Sequence, residues 1–189
     1  MHRVPVEISA RHLHLSQNDL ETLFGPGYKL SKIKDLSQPG EFAARETVQL
    51  IGPKASYEAV RVVGPVRRQT QVEITATDGR FLGIKAPVKL SGKLKGSAGA
   101  ILQGPKGRVG LKEGVIVPKR HLHLSTDQAK SLRLKNNQKV ALKLAGERAV
   151  VFSEVVVRAG EHYRLSCHLD TDEANAAGLK SCGYGELII

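Results

Sequence analysis

The hexapeptide Arg-His-Leu-His-Leu-Ser occurs twice, at residues 11–16 and again at 120–125. Chance does not repeat six residues in a chain of 189, so the repeat implies two related halves with the same local structure at their hearts. Each copy places two histidines at i and i+2. In an extended strand those imidazoles leave one face while the intervening leucine leaves the other. Two imidazoles side by side are half of a tetrahedral zinc site. A lone histidine on a strand is more often a hydrogen-bonded core or surface residue. A duplicated pair is another matter, because four of only seven histidines sit in these two strings. The chain therefore carries two candidate half-sites, His12/His14 and His121/His123, backed by Leu13/Leu15 and Leu122/Leu124.

The surroundings read as β-structure. Alternating or β-branched residues predict strands at 4–9, 47–51, 58–63, 71–75, 114–117, 139–144, 149–157 and 162–169. Gly-Pro and Pro-Gly pairs punctuate them, and many short strands with frequent turns suggest small barrels. Both hexapeptides end in a serine suited to cap a helix. Ser16 leads into 17–24, stopped by Gly25. Ser125 has Gln128 three residues on, the spacing of a capping box. A third helix is expected from Asp170 or Thr171 to Gly178. The repeat unit is thus a strand, its histidine pair and a helix, and the chain reads as mainly β: two small barrels with short capping helices.

Composition narrows the setting. No apolar run approaches the 18 or so residues of a membrane span, and the N-terminus enters a strand-like segment without a signal peptide. Cys167 and Cys182 give neither a disulfide framework nor a CxxC pair, which fits a reducing cytoplasm. A net charge of +11 favours anionic partners. At 4% aromatic residues and no Trp, base-stacking platforms are sparse, which weighs against single-stranded nucleic acid.

Further polar residues share faces with the candidate strands. In Gln71-Val72-Glu73-Ile74-Thr75, Val72 and Ile74 face a core and Glu73 faces the other way; such a glutamate can be solvated or a ligand. In 162–170 the same alternation sets Tyr163, Leu165, Cys167 and Leu169 against Arg164, Ser166 and His168. His168 also precedes a helix, as the paired histidines do. Arg67 and Arg68 lie just upstream of Glu73, and arginine binds phosphate or carboxylate in a fork geometry; a solvated loop is the alternative. The stretch Gly-Pro-Lys-Gly-Arg-Val-Gly at 104–110 is turn-rich and weak as a phosphate motif.

Taken together, the two hexapeptides, Lys-Asp-Leu-Ser-Gln-Pro-Gly at 34–40, Phe-Ala-Ala-Arg-Glu-Thr-Val at 42–48, Gly-Pro-Val-Arg-Arg-Gln-Thr-Gln-Val-Glu-Ile at 64–74, Leu-Gly-Ile-Lys-Ala-Pro-Val at 82–88 and His-Leu-Asp-Thr-Asp-Glu-Ala-Asn-Ala at 168–176 resemble the PduL-type phosphotransacylases, or phosphate propanoyltransferases. The resemblance covers nearly the whole chain. It implies one barrel from 11–118 and a second from 119–189 joined by 1–10, and a homodimer. It implies two zinc ions between the barrels, one on His12, His14 and Glu73, the other on His121, His123 and His168. It assigns phosphate binding to Arg67, and coenzyme A contacts to Ser9, Lys34, Arg61 and Asn175. The implied reaction moves a short acyl group, propanoyl or acetyl, between coenzyme A and inorganic phosphate. Members housed in bacterial microcompartments carry an amphipathic N-terminal extension; this chain begins at the first strand, so a free cytoplasmic enzyme is expected. Strand alternation turns Cys167 away from His168, which favours direct attack by phosphate over an acyl-enzyme. The rival readings are a dinuclear metallohydrolase of phosphoesters or thioesters, and a basic RNA-binding barrel with structural histidines.

Overall fold

Alternation within each hexapeptide sends leucines and histidines to opposite faces, and two separate cores collect the leucines. The structure is a computed structural model and describes residues 2–189. Its strands are β1 (His2–Ser9), β2 (His12–His14), β3 (Lys32–Asp35), β4 (Phe42–Ile51), β5 (Ser56–Gly64), β6 (Gln71–Glu73), β7 (Val88–Lys89), β8 (Ala98–Gln103), β9 (Arg108–Pro118), β10 (His121–Leu124), β11 (Lys139–Leu144), β12 (Val150–Ala159), β13 (Ser166–Asp170) and β14 (Gly183–Ile188). Its helices are α1 (Gln17–Phe24), α2 (Ala76–Leu82), α3 (Thr126–Ser131) and α4 (Thr171–Ala176). The chain divides into two compact units, one of Arg11–Pro118 and one combining the residues up to Ala10 with Lys119–Ile189.

In the second of these units β1-β13-β10-β12-β11-β14 closes into a barrel. In the Arg11–Pro118 unit β4-β5-β2-β6-β9-β8 closes in the same way, because β8 pairs with both β9 and β4; β3 and β7 are attached outside this ring. The architecture is therefore mainly β, two six-stranded barrels with short helices. The two rings agree ladder by ladder. β2 runs parallel to β5 and antiparallel to β6, as β10 runs parallel to β12 and antiparallel to β13. β6 runs parallel to β9 as β13 does to β1. The strand that leads into each hexapeptide thus pairs within the barrel that does not hold that hexapeptide.

The cores match position for position. Leu13, Leu15, Val60, Val62, Val72 and Ile74 are buried in one cluster. Leu122, Leu124, Val155, Val157, Cys167 and Leu169 occupy the equivalent places in the other. Each fully buried leucine stabilises its barrel by about 2 kcal/mol. Cys167 sits where the first barrel has Val72, and burial pushes its thiol up to about 12.

All four strands that carry candidate ligands stop within two residues of a helix N-cap: Ser16, Thr75, Ser125 and Asp170. The last three close capping boxes with Asp78, Gln128 and Glu173. Here the structure departs from the sequence reading. The strand expected over 71–75 ends at Glu73, and Thr75 caps a helix, α2, that the sequence reading did not foresee. Gly79 stands in its middle, where a Cβ would lie 2.8 Å from the carbonyl oxygen of Ile84. The glycine is needed for that close approach. The strand expected over 162–169 begins only at Ser166, so alternation does not extend back to Tyr163.

Candidate metal centres

The face of each barrel strand opposite the leucines gathers the candidate ligands. In the Arg11–Pro118 unit, β2 supplies His12 and His14, and β6 sets Glu73 directly across from His12. One ligand atom from each of the three lies within 4.8 Å of the others. Nε2 of His12 is 3.7 Å from Oε2 of Glu73. Nδ1 of His14 lies 2.9 Å from the Val63 carbonyl oxygen. Donating there when neutral, the ring keeps its lone pair on Nε2, the usual outer-shell arrangement for a metal-binding histidine. Burial, reinforced by His12 and Arg67, pushes His14 well below the ordinary histidine range, against the pull of the Val63 carbonyl.

The other unit repeats the arrangement. β10 supplies His121 and His123, and β13 sets His168 across from His121. These three also hold ligand atoms within 4.8 Å of one another. Nδ1 of His121 donates to the Lys119 carbonyl at 2.8 Å. His121 stacks on His168 with centroids 5.0 Å apart, and His123 stacks on Tyr163 at 4.3 Å. Tyr163 is therefore beside the trio, not on the opposite face as alternation suggested. Its backbone precedes the strand and follows no period of two.

His123 tests whether a metal fits. Neither of its ring nitrogens has a hydrogen-bond partner, although both are buried. Desolvation, with His121, His168 and Arg158 adding to it, lowers its pKa to about 2, so the ring is a neutral donor. An unsatisfied buried polar group costs about 1–3 kcal/mol, which a coordinated ion would offset. The donor sets, two imidazoles with a carboxylate and three imidazoles, are those of catalytic zinc. The residues present fit a divalent metal in both units.

Each trio is held from behind by the same device. Arg11 donates to Asp78 at 2.8 Å and covers the Tyr57 ring at 4.0 Å. Arg120 donates to Glu173 at 2.7 Å and covers Phe152 at 4.9 Å. Both acids are third residues of the helices that follow the ligand strands. The first residue of the hexapeptide thus pins the helix beside its trio. Burial opposes ionisation of Asp78, but Arg11, the Thr75 backbone and Tyr57 outweigh it and hold the carboxyl below its usual range.

Arg67 is tied to the first trio. Its backbone N–H donates to Leu15 at 2.8 Å. Its guanidinium donates to Glu41 at 3.0 Å and Ser91 at 3.1 Å. The Gln71 amide donates to the same Ser91 hydroxyl at 2.8 Å and to Oε1 of Glu73 at 2.5 Å. In the other barrel Ser166 stands where Gln71 stands, and its hydroxyl meets Nε2 of His168 at 2.7 Å. Sequence reasoning did not single out Gln71, Ser91 or Ser166. Gln71 and Ser166 carried a signal, since each lies two residues before a candidate ligand on the same strand face; Ser91 carried none. Arg68 is exposed.

The four residues tied to coenzyme A by resemblance lie on four separate elements. Ser9 ends β1 opposite Asp170, and Asn175 is exposed on α4. Lys34 is exposed on β3, and Arg61 on β5 donates to the carbonyls of Ala44 and Arg45 at 3.1 and 2.8 Å. No helix among the described residues is long and apolar enough to cross a membrane.

Fold and site define a two-barrel protein with a duplicated metal-type trio. The family model described as phosphate propanoyltransferase matches residues 5–180. A phosphate propanoyltransferase of Thermotoga maritima is 47% identical over 184 residues, covering 97% of this chain and 86% of that one. One of Lachnoclostridium phytofermentans is 49% identical over 181 residues, covering 95% and 84%. One of Listeria monocytogenes is 44% identical over 185 residues, covering 98% and 87%. The chain belongs to the phosphate propanoyltransferase family, whose members are acyltransferases.

Proposed function

We propose that this protein is a phosphotransacylase that moves a short acyl group, propanoyl or acetyl, between coenzyme A and inorganic phosphate. The family supports the substrate pair. The observation that carries the reading to the site is the chain Arg67–Ser91–Gln71–Glu73, which sets a phosphate-binding type of cation beside a metal-type trio. In this reading each trio holds one zinc ion: His12, His14 and Glu73 the first, His121, His123 and His168 the second. A bound zinc ion supplies Lewis acidity, which polarises a thioester carbonyl and stabilises a departing thiolate.

Arg67 binds phosphate and orients one of its oxygens, exchanging its bond to Glu41 for bonds to the anion. That oxygen attacks the thioester carbon, the carbon–sulfur bond breaks, and coenzyme A leaves as the thiolate. Cys167 is no carrier for an acyl-enzyme: it is fully buried in the core and its thiol is held protonated at neutral pH. Ser9, Lys34, Arg61 and Asn175 are proposed coenzyme A contacts, and a cytoplasmic homodimer belongs to the same reading.

The test is an assay of thiol release from propanoyl-CoA with and without phosphate, on protein whose metal content has been measured. Phosphate-dependent release with about two ions per chain supports the proposal. Release that ignores phosphate favours the metallohydrolase. Full turnover in metal-free protein overturns the role of the trios.

A further inference from the structure

Gln71 is 1% exposed, and its amide is held at both ends. Nε2 donates to Glu73 and to Ser91, and Oε1 accepts from the Gly92 backbone at 2.7 Å. The amide is fixed at both ends, so it holds the Glu73 carboxylate in one orientation. Ser91 receives the Gln71 amide and the Arg67 guanidinium together. Ser166, at the equivalent place in the other barrel, bonds the third ligand of its own trio. A residue two positions before the third ligand, turned to grip it, therefore recurs in both halves. The Gln71 version reaches on through Ser91 to Arg67.

We infer that Gln71 is a positioning residue that, through Ser91, couples metal binding at His12, His14 and Glu73 to phosphate binding at Arg67. This rests on the proposed function. A carboxylate locked by Gln71 presents its other oxygen to the ion, and a guanidinium locked by Ser91 presents its remaining donors to phosphate. Ordering either end orders the shared amide and hydroxyl. Phosphate must then tighten metal binding at this trio, and metal must tighten phosphate by the same factor, since coupling between two sites is reciprocal.

The full-length protein with Gln71→Leu and, separately, Ser91→Ala tests this. Zinc affinity is measured by competition with a chromophoric chelator, with and without inorganic phosphate, alongside KM for phosphate and thermal unfolding. Removing an outer-shell partner lowers metal affinity roughly 10- to 100-fold, so Gln71→Leu should lose that much at one of two sites and should also raise KM for phosphate. Ser91→Ala should keep zinc affinity near the parent's, lose the effect of phosphate on it and raise KM several-fold. A folded Gln71→Leu protein with parental zinc affinity overturns the inference. So does a Ser91→Ala protein in which phosphate still tightens zinc. A parent that binds zinc and is active while its variants behave so refutes the positioning role alone. A parent that binds no zinc overturns the proposed function and this inference together. If Gln71→Leu does not fold, Ser91→Ala decides.

Discussion

Replacing His123 by Phe separates a metal ligand from a structural histidine through stability alone. Without metal, His123 buries two ring nitrogens that have no partner. Its pKa of about 2 means that it also gains nothing by protonation at neutral pH. Removing an unsatisfied buried group recovers about 1–3 kcal/mol. Phenylalanine keeps the stack on Tyr163 but is larger, and overpacking takes back about 1–3 kcal/mol. The two effects offset, so the metal-free variant should unfold within about 2 kcal/mol of the parent, about 4–8 °C either way. Zinc should favour the parent. At a thousandfold excess over the dissociation constant the parent gains about 4 kcal/mol at this trio, while the variant keeps only His121 and His168. The ion at the other trio raises both proteins alike, so the readout is the difference between their melting temperatures with and without zinc. A difference that zinc leaves unchanged would refute the ligand role.

Arg67→Ala should raise KM for phosphate and lower the rate about a hundredfold, a loss on the order of 3 kcal/mol, while Arg68→Ala, at an exposed position, should behave as the parent; equal losses in steady-state kinetics would contradict the assignment. His168→Ala should lose one metal ion by elemental analysis, whereas Cys167→Val, which installs the residue of the matching core position in the other barrel, should keep both ions and activity. Burial depresses the pKa of His14 and His123, so below the ordinary value of 6.5 the unfolded chain takes up protons that the metal-free fold refuses. Stability of chelated protein should thus fall as pH drops through 6.5, by up to about 1.4 kcal/mol per pH unit for each histidine. Urea midpoints that are flat between pH 7 and 5 would show that these rings are not held neutral.

The legible part of this molecule is the part governed by short periods. The hexapeptides announce two strands, two helix caps and four inward leucines, because alternation and capping act within six residues. Glu73 and His168 are harder: they sit 59–61 and 45–47 residues from their partners, and only register across an antiparallel ladder puts both opposite the first histidine of a pair. The closing strands β8 and β14 stayed hidden for a different reason. Their alternation is broken by glycines, and a Cβ at Gly185 would lie 2.7 Å from a Leu142 methyl group. The neighbour's bulk removed the side chain that would have marked the strand. Ser91 is the extreme case. It lies in a turn-rich connection with no pattern around it, and its role rests on two hydrogen bonds to residues 20 and 24 positions away. What a sequence hides is thus the group that braces a site when, like Ser91, it lies on a segment with no period. In a duplicated fold the comparison of halves recovers some of it. Gln71 and Ser166 differ in type, yet the matched ladders give them one task. A Ser166→Gln variant, carrying the first barrel's solution into the second, should for that reason keep zinc at its trio better than Ser166→Ala does. Equal zinc affinity in the two variants would mean that the shared position is only an inheritance of the fold.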